Sequence, residues 1–226
     1  IHHGEILGIA GVAGNGQNPL MEVISGLSTL ASGRIILDGI NISGINARKI
    51  KDMGLGHIPD DRFVAGLVPE MSIEENLILG DHRGLYANGA LIDFGKMRLS
   101  AERAIKEFQI SAPSSETPTG NLSGGNAQRV ILAREIMLAT KVLLANQPTR
   151  GLDVGVIEYI HKRLLEKRAQ GVAVLIASSE LEDLMNLCDR IGVLFQGRLM
   201  GIVDAQDTSL EEIGLLMAGQ PLEVAA

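Results

Sequence analysis

The chain is poor in aromatic residues: it has no tryptophan, and phenylalanine and tyrosine together make up 3% of its 226 residues. Its core must therefore be aliphatic, with valine, isoleucine and leucine filling the space between sheet and helices. There is one cysteine, Cys188, which excludes an internal disulfide; at the end of an apolar helix it reads as an inert core residue. No apolar run approaches the roughly 18 residues that span a bilayer, and no signal peptide is present, so a soluble, cytoplasmic chain is expected. Positive charge is in deficit: 20 lysines and arginines stand against 27 carboxylates, for a net charge of −7. That balance argues against nucleic acid as the main partner. An initiating methionine is missing, and Ile1 reads as the start of an excised piece. His2 and His3 read as linker or loop rather than a metal site, and no repeats or low-complexity tracts occur.

What is present is 46% hydrophobic residues, enough at this length to bury a full core as one domain or as one domain with a lobe. The most informative stretch is Leu122-Ser123-Gly124-Gly125-Asn126. A serine and two glycines open a segment in which Val130, Ala133 and Met137 recur at helical spacing, predicting an amphipathic helix to about Ala139. First-turn N–H groups lack intrahelical partners and sit at the positive end of the helix dipole, an arrangement that suits an anion. On its own this also describes a plain helix cap with permissive glycines. An apolar strand, Lys141 to Gln147, follows, and then the sequence PTRGLD ending at Asp153.

Near the start, Glu5 to Val12 reads as a buried strand. It leads into a glycine-rich turn with Gly11, Gly14 and Gly16, and then a helix through Met21, Val23 and Ile24. Strand, glycine turn and helix are the context of a phosphate-binding loop, and Gly11 and Gly16 satisfy its G-x-x-x-x-G spacing. Gln17 and Asn18 stand where lysine and a hydroxyl residue belong, with Pro19 next.

LSGGN, helix, strand and PT-x-GLD, in register with this altered loop, resemble the signature-to-D-loop block of ABC transporter ATPases. His57-Ile58-Pro59-Asp60-Asp61-Arg62 falls where that family carries its Q-loop, with Asp60 at the glutamine position. Its likeness to E-D-R narrows the resemblance to the importers of simple sugars and nucleosides. A solvated turn with a local ion pair is the other reading of Asp60, Asp61 and Arg62. The resemblance runs from Gly4 to Gly219. It implies an α/β fold, a P-loop NTPase (ABC ATPase) core with an inserted helical subdomain, whose N-terminal strands carrying the adenine-stacking aromatic are missing. Neither Tyr86 nor Tyr159 is placed to replace that aromatic. The expected division is a P-loop part over 1–70, the helical subdomain over 71–121, the signature helix and remaining core over 122–219, and a frayed tail over 220–226.

By the same resemblance, Asn146 and Gln147 occupy the positions of the Mg²⁺-organising aspartate and the catalytic glutamate, and Ser179 that of the switch histidine. Gly11, Gly14, Asn15, Gly16, Gln17 and Asn18 would hold nucleotide. Ser123, Gly124, Gly125 and Asn126 form the signature, and Asp153 belongs to the D-loop. The losses have physical content. A lysine–phosphate charge pair at 4 Å is worth about 4 kcal/mol at an effective dielectric of 20, before desolvation. An amide cannot accept a proton near neutral pH, and losing a general base costs typically 10²–10⁴-fold in rate, to order of magnitude. Pro19 removes a first-turn donor, although proline is also comfortable in a first helical turn. An engineered trap would account for Asn146 and Gln147 but not for the changes at Gln17, Asn18 and Pro19.

The expected cofactors are ATP and Mg²⁺, bound weakly or with a partner's help. The expected partners are a second ABC cassette, the N-terminal half of the same polypeptide, and transmembrane permease subunits with, indirectly, a solute-binding protein. The expected location is the inner face of the cell membrane. Rival readings are a fully active ATPase half, with Asp60 or Asn18 compensating, and a soluble non-transport ABC protein; the acidic balance disfavours the second.

Remaining segments read as an edge strand over Gly33 to Gly39, a short basic helix over Ala47 to Met53 and a strand over Gly54 to Pro59. Two helices follow, around Ile73, Leu77 and Ile78 and around Ala101, Ile105 and Phe108, separated by a loop over His82 to Gly95. Tyr86 and Phe94 in that loop read either as permease anchors or as caps of a small local core. Further on come a helix through Ile157, Ile160, Leu164 and Leu165 bearing a surface His161, a buried strand Ala173 to Ser179, and a helix Leu181 to Leu187. A hairpin turning at Gln196-Gly197 and a final helix over Ser209 to Ala218 complete the chain.

Overall fold

The computed structural model describes residues 1–82, 84–88 and 91–220. Strand β1 (Ile6–Ala10) is buried along its whole length, as an aliphatic run flanked on both sides must be. Helix α1 (Gln17–Ser25) follows the glycine loop and ends at Gly26, whose φ of 77° is the left-handed conformation that closes a helix. The segment expected to be an edge strand is instead a hairpin of its own, β2 (Ile36–Leu37) with β3 (Ile40–Asn41), outside the main sheet. Its turn residues Asp38 and Gly39 both take positive φ, which reverses the chain before a longer strand can form. Helix α2 (Ala47–Asp52) leads to β4 (Leu55–Ile58) and a single π-helical turn over Arg62–Gly66.

Helix α3 (Ile73–Leu77) starts at a capping box formed by Ser72 and Glu75. The expected loop over His82 to Gly95 holds a small hairpin, β5 (Ala87–Asn88) and β6 (Leu91–Ile92), and the first residues of α4 (Phe94–Glu107). The Asp93 carboxylate accepts from the Lys96 N–H and starts that helix a turn before its apolar spacing becomes visible. Helix α5 (Gly124–Leu138), β7 (Val142–Asn146), α6 (Val154–Ala169), β8 (Ala173–Ala177) and α7 (Leu181–Leu187) follow in turn. The hairpin β9 (Arg190–Phe195) with β10 (Arg198–Asp204) and the final helix α8 (Leu210–Met217) complete the described chain. Of the expected frayed tail, 221–226 lie outside the described residues.

The main sheet has six strands in the order β10-β9-β1-β8-β7-β4, all parallel except the β10 edge. One buried aliphatic cluster packs α5, α6 and α7 on one side, and a second packs α1, α2 and β2 on the other. Helix α5 is not amphipathic as its spacing suggested. Gln128, Arg134 and Glu135 are as buried as Val130 and Ile131, while Met137 is 46% exposed. It packs on β4, α3, α6 and the π-turn together, so neighbours surround it and periodicity alone does not mark its buried side. His161 is likewise not a surface residue: its side chain is 19% exposed, and its Nε2 lies 3.5 Å from Asp183 Oδ1. Tyr86 is buried against Ile78 and Met97 and hydrogen-bonds Ser100 Oγ, whereas Phe94 is 68% exposed.

Candidate functional site

Parallel register brings the expected nucleotide residues to one edge of the sheet. Asn146 pairs with Ala177 and Ile9 with Ala177, so the ends of β7, β8 and β1 lie level beneath the glycine loop. Gly14 and Gly16 take φ of 90° and 111°, conformations closed to other residues without strain. The loop is tied to the β9–β10 turn: the Gly197 N–H donates to Asn15 O at 3.1 Å and the Gln196 N–H to Asn15 Oδ1 at 3.1 Å. Gly16 caps α1 without a side-chain bond, leaving the first-turn amides of Gln17 and Asn18 facing the loop. Gln17 is buried and folds back onto the segment just after β1, donating to Val12 O at 3.4 Å. It occupies the space that Gly11 leaves: a Cβ at Gly11 would lie 2.5 Å from Gln17 Nε2.

Asn18 and Asn146, the two residues expected at Mg²⁺-site positions, are bonded to each other, and Asn18 is bonded in turn to Asp60 of the expected Q-loop. Asn146 Nδ2 donates to Asn18 Oδ1 at 2.9 Å, and Asn18 Nδ2 donates to Asp60 Oδ2 at 2.7 Å. Asn146 is 3% exposed and its Oδ1 has no partner. It borders a cavity of about 230 Å³ lined also by His57, Lys51, Asp60 and Glu135, into whose buried surroundings His57 Nε2 sits equally unpartnered. Burial pushes the His57 imidazole below its usual range, against the opposing pull of Glu135. Glu135 stays ionised although buried. Desolvation would raise its pKa, but Arg134, Lys51 and the His57 N–H together hold it below the ordinary value.

Gln147 and Ser179 form a second pair. Gln147 Oε1 accepts from the Ser179 N–H at 3.2 Å and from its hydroxyl at 3.3 Å. Gln147 sits at φ 48°, an uncommon conformation for a residue with a side chain, held by its N–H donating to Ala177 O at 2.8 Å. The residues expected as catalytic glutamate and switch histidine are thus in contact, with no ionisable group between them.

The expected signature is built differently. Ser123 is exposed and caps α5, its Oγ accepting from Asn126 Nδ2 at 3.0 Å. Asn126 Oδ1 turns the other way and accepts from the Ser111 N–H. The glycines allow close approach to the D-loop side: a Cβ on Gly125 would lie 3.1 Å from Val156 Cγ2. Asp153 caps α6, accepting from the Val156 N–H at 3.1 Å. The Asp60-Asp61-Arg62 turn is not a local ion pair. Asp61 accepts from the Val64 and Phe63 N–H groups, which hold its carboxyl below the usual range. Arg62 reaches Gly124 O and Arg150 O.

The sequence pattern of the family described as ABC transporter matches residues 1–150. The chain belongs to the ABC transporter family. It is 48% identical over 217 residues to the guanosine import ATP-binding protein NupO of Bacillus subtilis, covering 96% of this chain and 42% of that protein. It is 42% identical over 220 residues to the nucleoside import ATP-binding protein NupA of Lactococcus lactis, covering 97% and 44%. Both comparisons have this cassette spanning less than half of the curated relative's length. Among solved structures it superimposes on the ATP-binding cassette MJ0796 bound to ADP and Pi with a TM-score of 0.78, at 23% identity, covering 92% of this chain and 88% of that one. That likeness establishes the fold.

Sequence reasoning singled out the two glycine-rich helix entrances but missed Arg62 as a bridge, because both its acceptors are backbone carbonyls distant in sequence. It also missed the buried Arg134–Glu135–Lys51 network, whose only signal was charge inside an otherwise apolar helix. Among the described residues no helix is long and apolar enough to cross a membrane.

Proposed function

We propose that this cassette is the second, C-terminal half of a tandem ATPase subunit in an importer of nucleosides or simple sugars. Its own site is hydrolytically impaired, and it offers its signature to ATP bound by the partner cassette. The observation that carries this reading is the contrast between a candidate site whose Gln17, Asn18, Asn146, Gln147 and Ser179 bring no ionisable group and a helix N-terminus at Ser123-Gly124-Gly125 that keeps its hydroxyl and its first-turn N–H groups. The glycine loop suits phosphates: Gly14 and Gly16 take positive φ, and the first-turn N–H groups of α1 lack intrahelical partners. The Mg²⁺ position fits less well. Asp60 offers a carboxylate, but both polar atoms of Asn18 are engaged by neighbours and would have to let go. When bound, Mg²⁺-ATP supplies the leaving group and the charge that must be neutralised.

In this cassette Gln17 and Asn18 would hold phosphate through neutral contacts only. Gln147 can orient a water but cannot take its proton. Ser123 and the Gly124 and Gly125 N–H groups would donate to the γ-phosphate in the partner's site, where fixed donors stabilise developing charge. Asp153, already committed to capping α6, would face the partner half. Permease subunits at the inner face of the membrane, fed by a solute-binding protein, complete the assembly. The names of the relatives, which import guanosine, nucleosides or glucose, support the substrate class.

A second reading, an active half, draws on Asp60: its carboxylate lies beside Asn18 and could restore a Mg²⁺ site. The deciding test is Ser123→Arg in the assembled transporter. The expected result is loss of ATP hydrolysis with nucleotide binding at the partner cassette preserved. Unchanged hydrolysis would remove the signature from the mechanism and turn attention to turnover in this half's own loop.

A further inference from the structure

We propose that Arg62 is a positioning residue that clamps the signature to the D-loop and ties both to this half's own nucleotide loop. The inference rests on the reading of Ser123 to Gly125 as a signature used in trans. Its Nη1 donates to Gly124 O at 3.2 Å and its Nη2 to Arg150 O at 2.7 Å. Those carbonyls belong to separate segments, the first turn of α5 and the turn between β7 and α6. One rigid guanidinium therefore fixes the distance between them in a way that two independent side chains could not. A Cβ on Gly124 would lie 3.0 Å from Nη1, so the glycine is part of the fit. Among the described residues no carboxylate lies within ion-pair distance of Arg62, and both ordered contacts are to backbone carbonyls.

The backbone that launches Arg62 is itself held. Asp61 accepts from the Phe63 and Val64 N–H groups at 2.9 Å each, and Arg62 O accepts from the Leu67 N–H at 2.8 Å. The preceding residue, Asp60, accepts from Asn18 in the first turn of α1, directly after the glycine loop. Three consecutive side chains thus reach three different places: Asp60 the loop of this half, Asp61 its own turn, and Arg62 the face offered to the partner. A change in the Asn18–Asp60 contact would pass to the signature through one short, braced turn. Occupancy of an impaired site could in this way set the pace of the working one, with two sites coupled through a contiguous element.

The test uses the full-length protein carrying this chain, assembled with its permease, in wild-type form and with Arg62→Ala, Arg62→Lys and, separately, Ser123→Arg. Arg62→Ala should lower kcat about tenfold, as expected for losing a charged donor to a carbonyl, with KM for ATP changed less than about twofold. Arg62→Lys, which keeps the charge but not the fork, should fall between. Hydrogen exchange should quicken at the bonded amides Ala127, Leu152 and Val156 while β1, β7 and β8 stay protected. Unchanged exchange at those amides, or equal loss of protection across the sheet, overturns the clamp. Quickened exchange with unchanged kcat, where Ser123→Arg abolishes turnover, overturns its positioning role. If Ser123→Arg leaves turnover intact, the trans reading fails, and the clamp is then judged by exchange alone.

Discussion

The loop before α1 and the turn before α5 are both glycine-rich helix entrances, yet their polar side chains are bonded differently, at long range in one and locally in the other. At α1 the side-chain bonds reach across the fold: Gln17 is buried over Gly11 and Val12, and Asn18, though exposed, is held between Asn146 and Asp60. At α5 Ser123 is exposed and its cap is local, made with Asn126. On the proposed reading, the difference teaches that an anion site can keep its backbone geometry while its side-chain chemistry is replaced. Positive-φ glycines and a helix N-terminus are present at α1, where Asn146 and Asn18 are matched as donor and acceptor and Asn18 in turn donates to the Asp60 carboxylate. A buried amide left unmatched would cost about 1–3 kcal/mol, so the bond from the buried Asn146 to Asn18 helps to hold this arrangement without a ligand. The orphaned Asn146 Oδ1 is where the matching stops.

The largest effect that could break this contrast comes from matched substitutions at the two places. Gly125→Asp puts a carboxylate where phosphate oxygens should meet N–H groups. It should lower kcat of the assembled transporter by about 10²-fold or more, the scale of a lost oxyanion donor. Gln147→Ala should change kcat by less than about twofold, because an amide supplies no base. Steady-state ATPase assays decide both, and a large loss from Gln147→Ala would mean that this half's own site turns over.

A smaller effect should follow from restoring charge at α1. Gln17→Lys should tighten binding of a fluorescent ATP analogue to this half by about tenfold, a part of the Coulomb gain left after desolvation. The measurement is an equilibrium titration of full-length protein with the partner site blocked. No gain would mean that the loop geometry, rather than the missing charge, limits binding.

Smaller still is Asp60→Asn. An asparagine can still accept from Asn18 Nδ2, so the thermal midpoint should fall by no more than about 1 kcal/mol in equivalent stability. Mg²⁺ dependence of nucleotide binding should be unaltered. A tenfold loss of Mg²⁺ dependence would instead make Asp60 a metal ligand and favour the active-half reading.

The legibility of the two regions differs for a physical reason. Helix entrances and buried strands are local patterns, so α1, α5, β1 and β7 could be read from glycines, caps and aliphatic runs. The bonds that define the state of the candidate site are not local. Asn18 and Asn146 lie 128 positions apart, and Gln147 and Ser179 lie 32 apart. Nothing in either neighbourhood says that the side chains meet. Burial misled where an element is surrounded: the periodicity of α5 pointed to Met137, which is exposed, and passed over Glu135, which is 2% exposed and fully paired. His161 read as a surface residue because its helix is polar nearby, but α7 brings Asp183 against it.

The smallest expected effect concerns the ground between the two regions. His57 lies on β4 with its backbone N–H donating to Glu135 of α5, and its ring borders the cavity that reaches Asn146. Desolvation dominates its titration, with Lys51 adding to the downward shift and Glu135, Asp60 and Glu22 opposing it. The unfolded chain therefore binds a proton near the ordinary value of 6.5 where the folded chain does not. Stability from this residue is complete above that value, falls as pH drops below it, and levels off beneath the folded pKa. Urea unfolding from pH 7.5 to 5.5 should show a declining midpoint in wild-type protein and a shallower decline in His57→Gln. Glu135 does not confuse the comparison, because its lowered pKa confines its own loss to pH below about 4.5. Identical slopes would place a proton acceptor beside His57 strong enough to cancel burial, and the cavity would then be an anionic pocket rather than a gap between two polar networks.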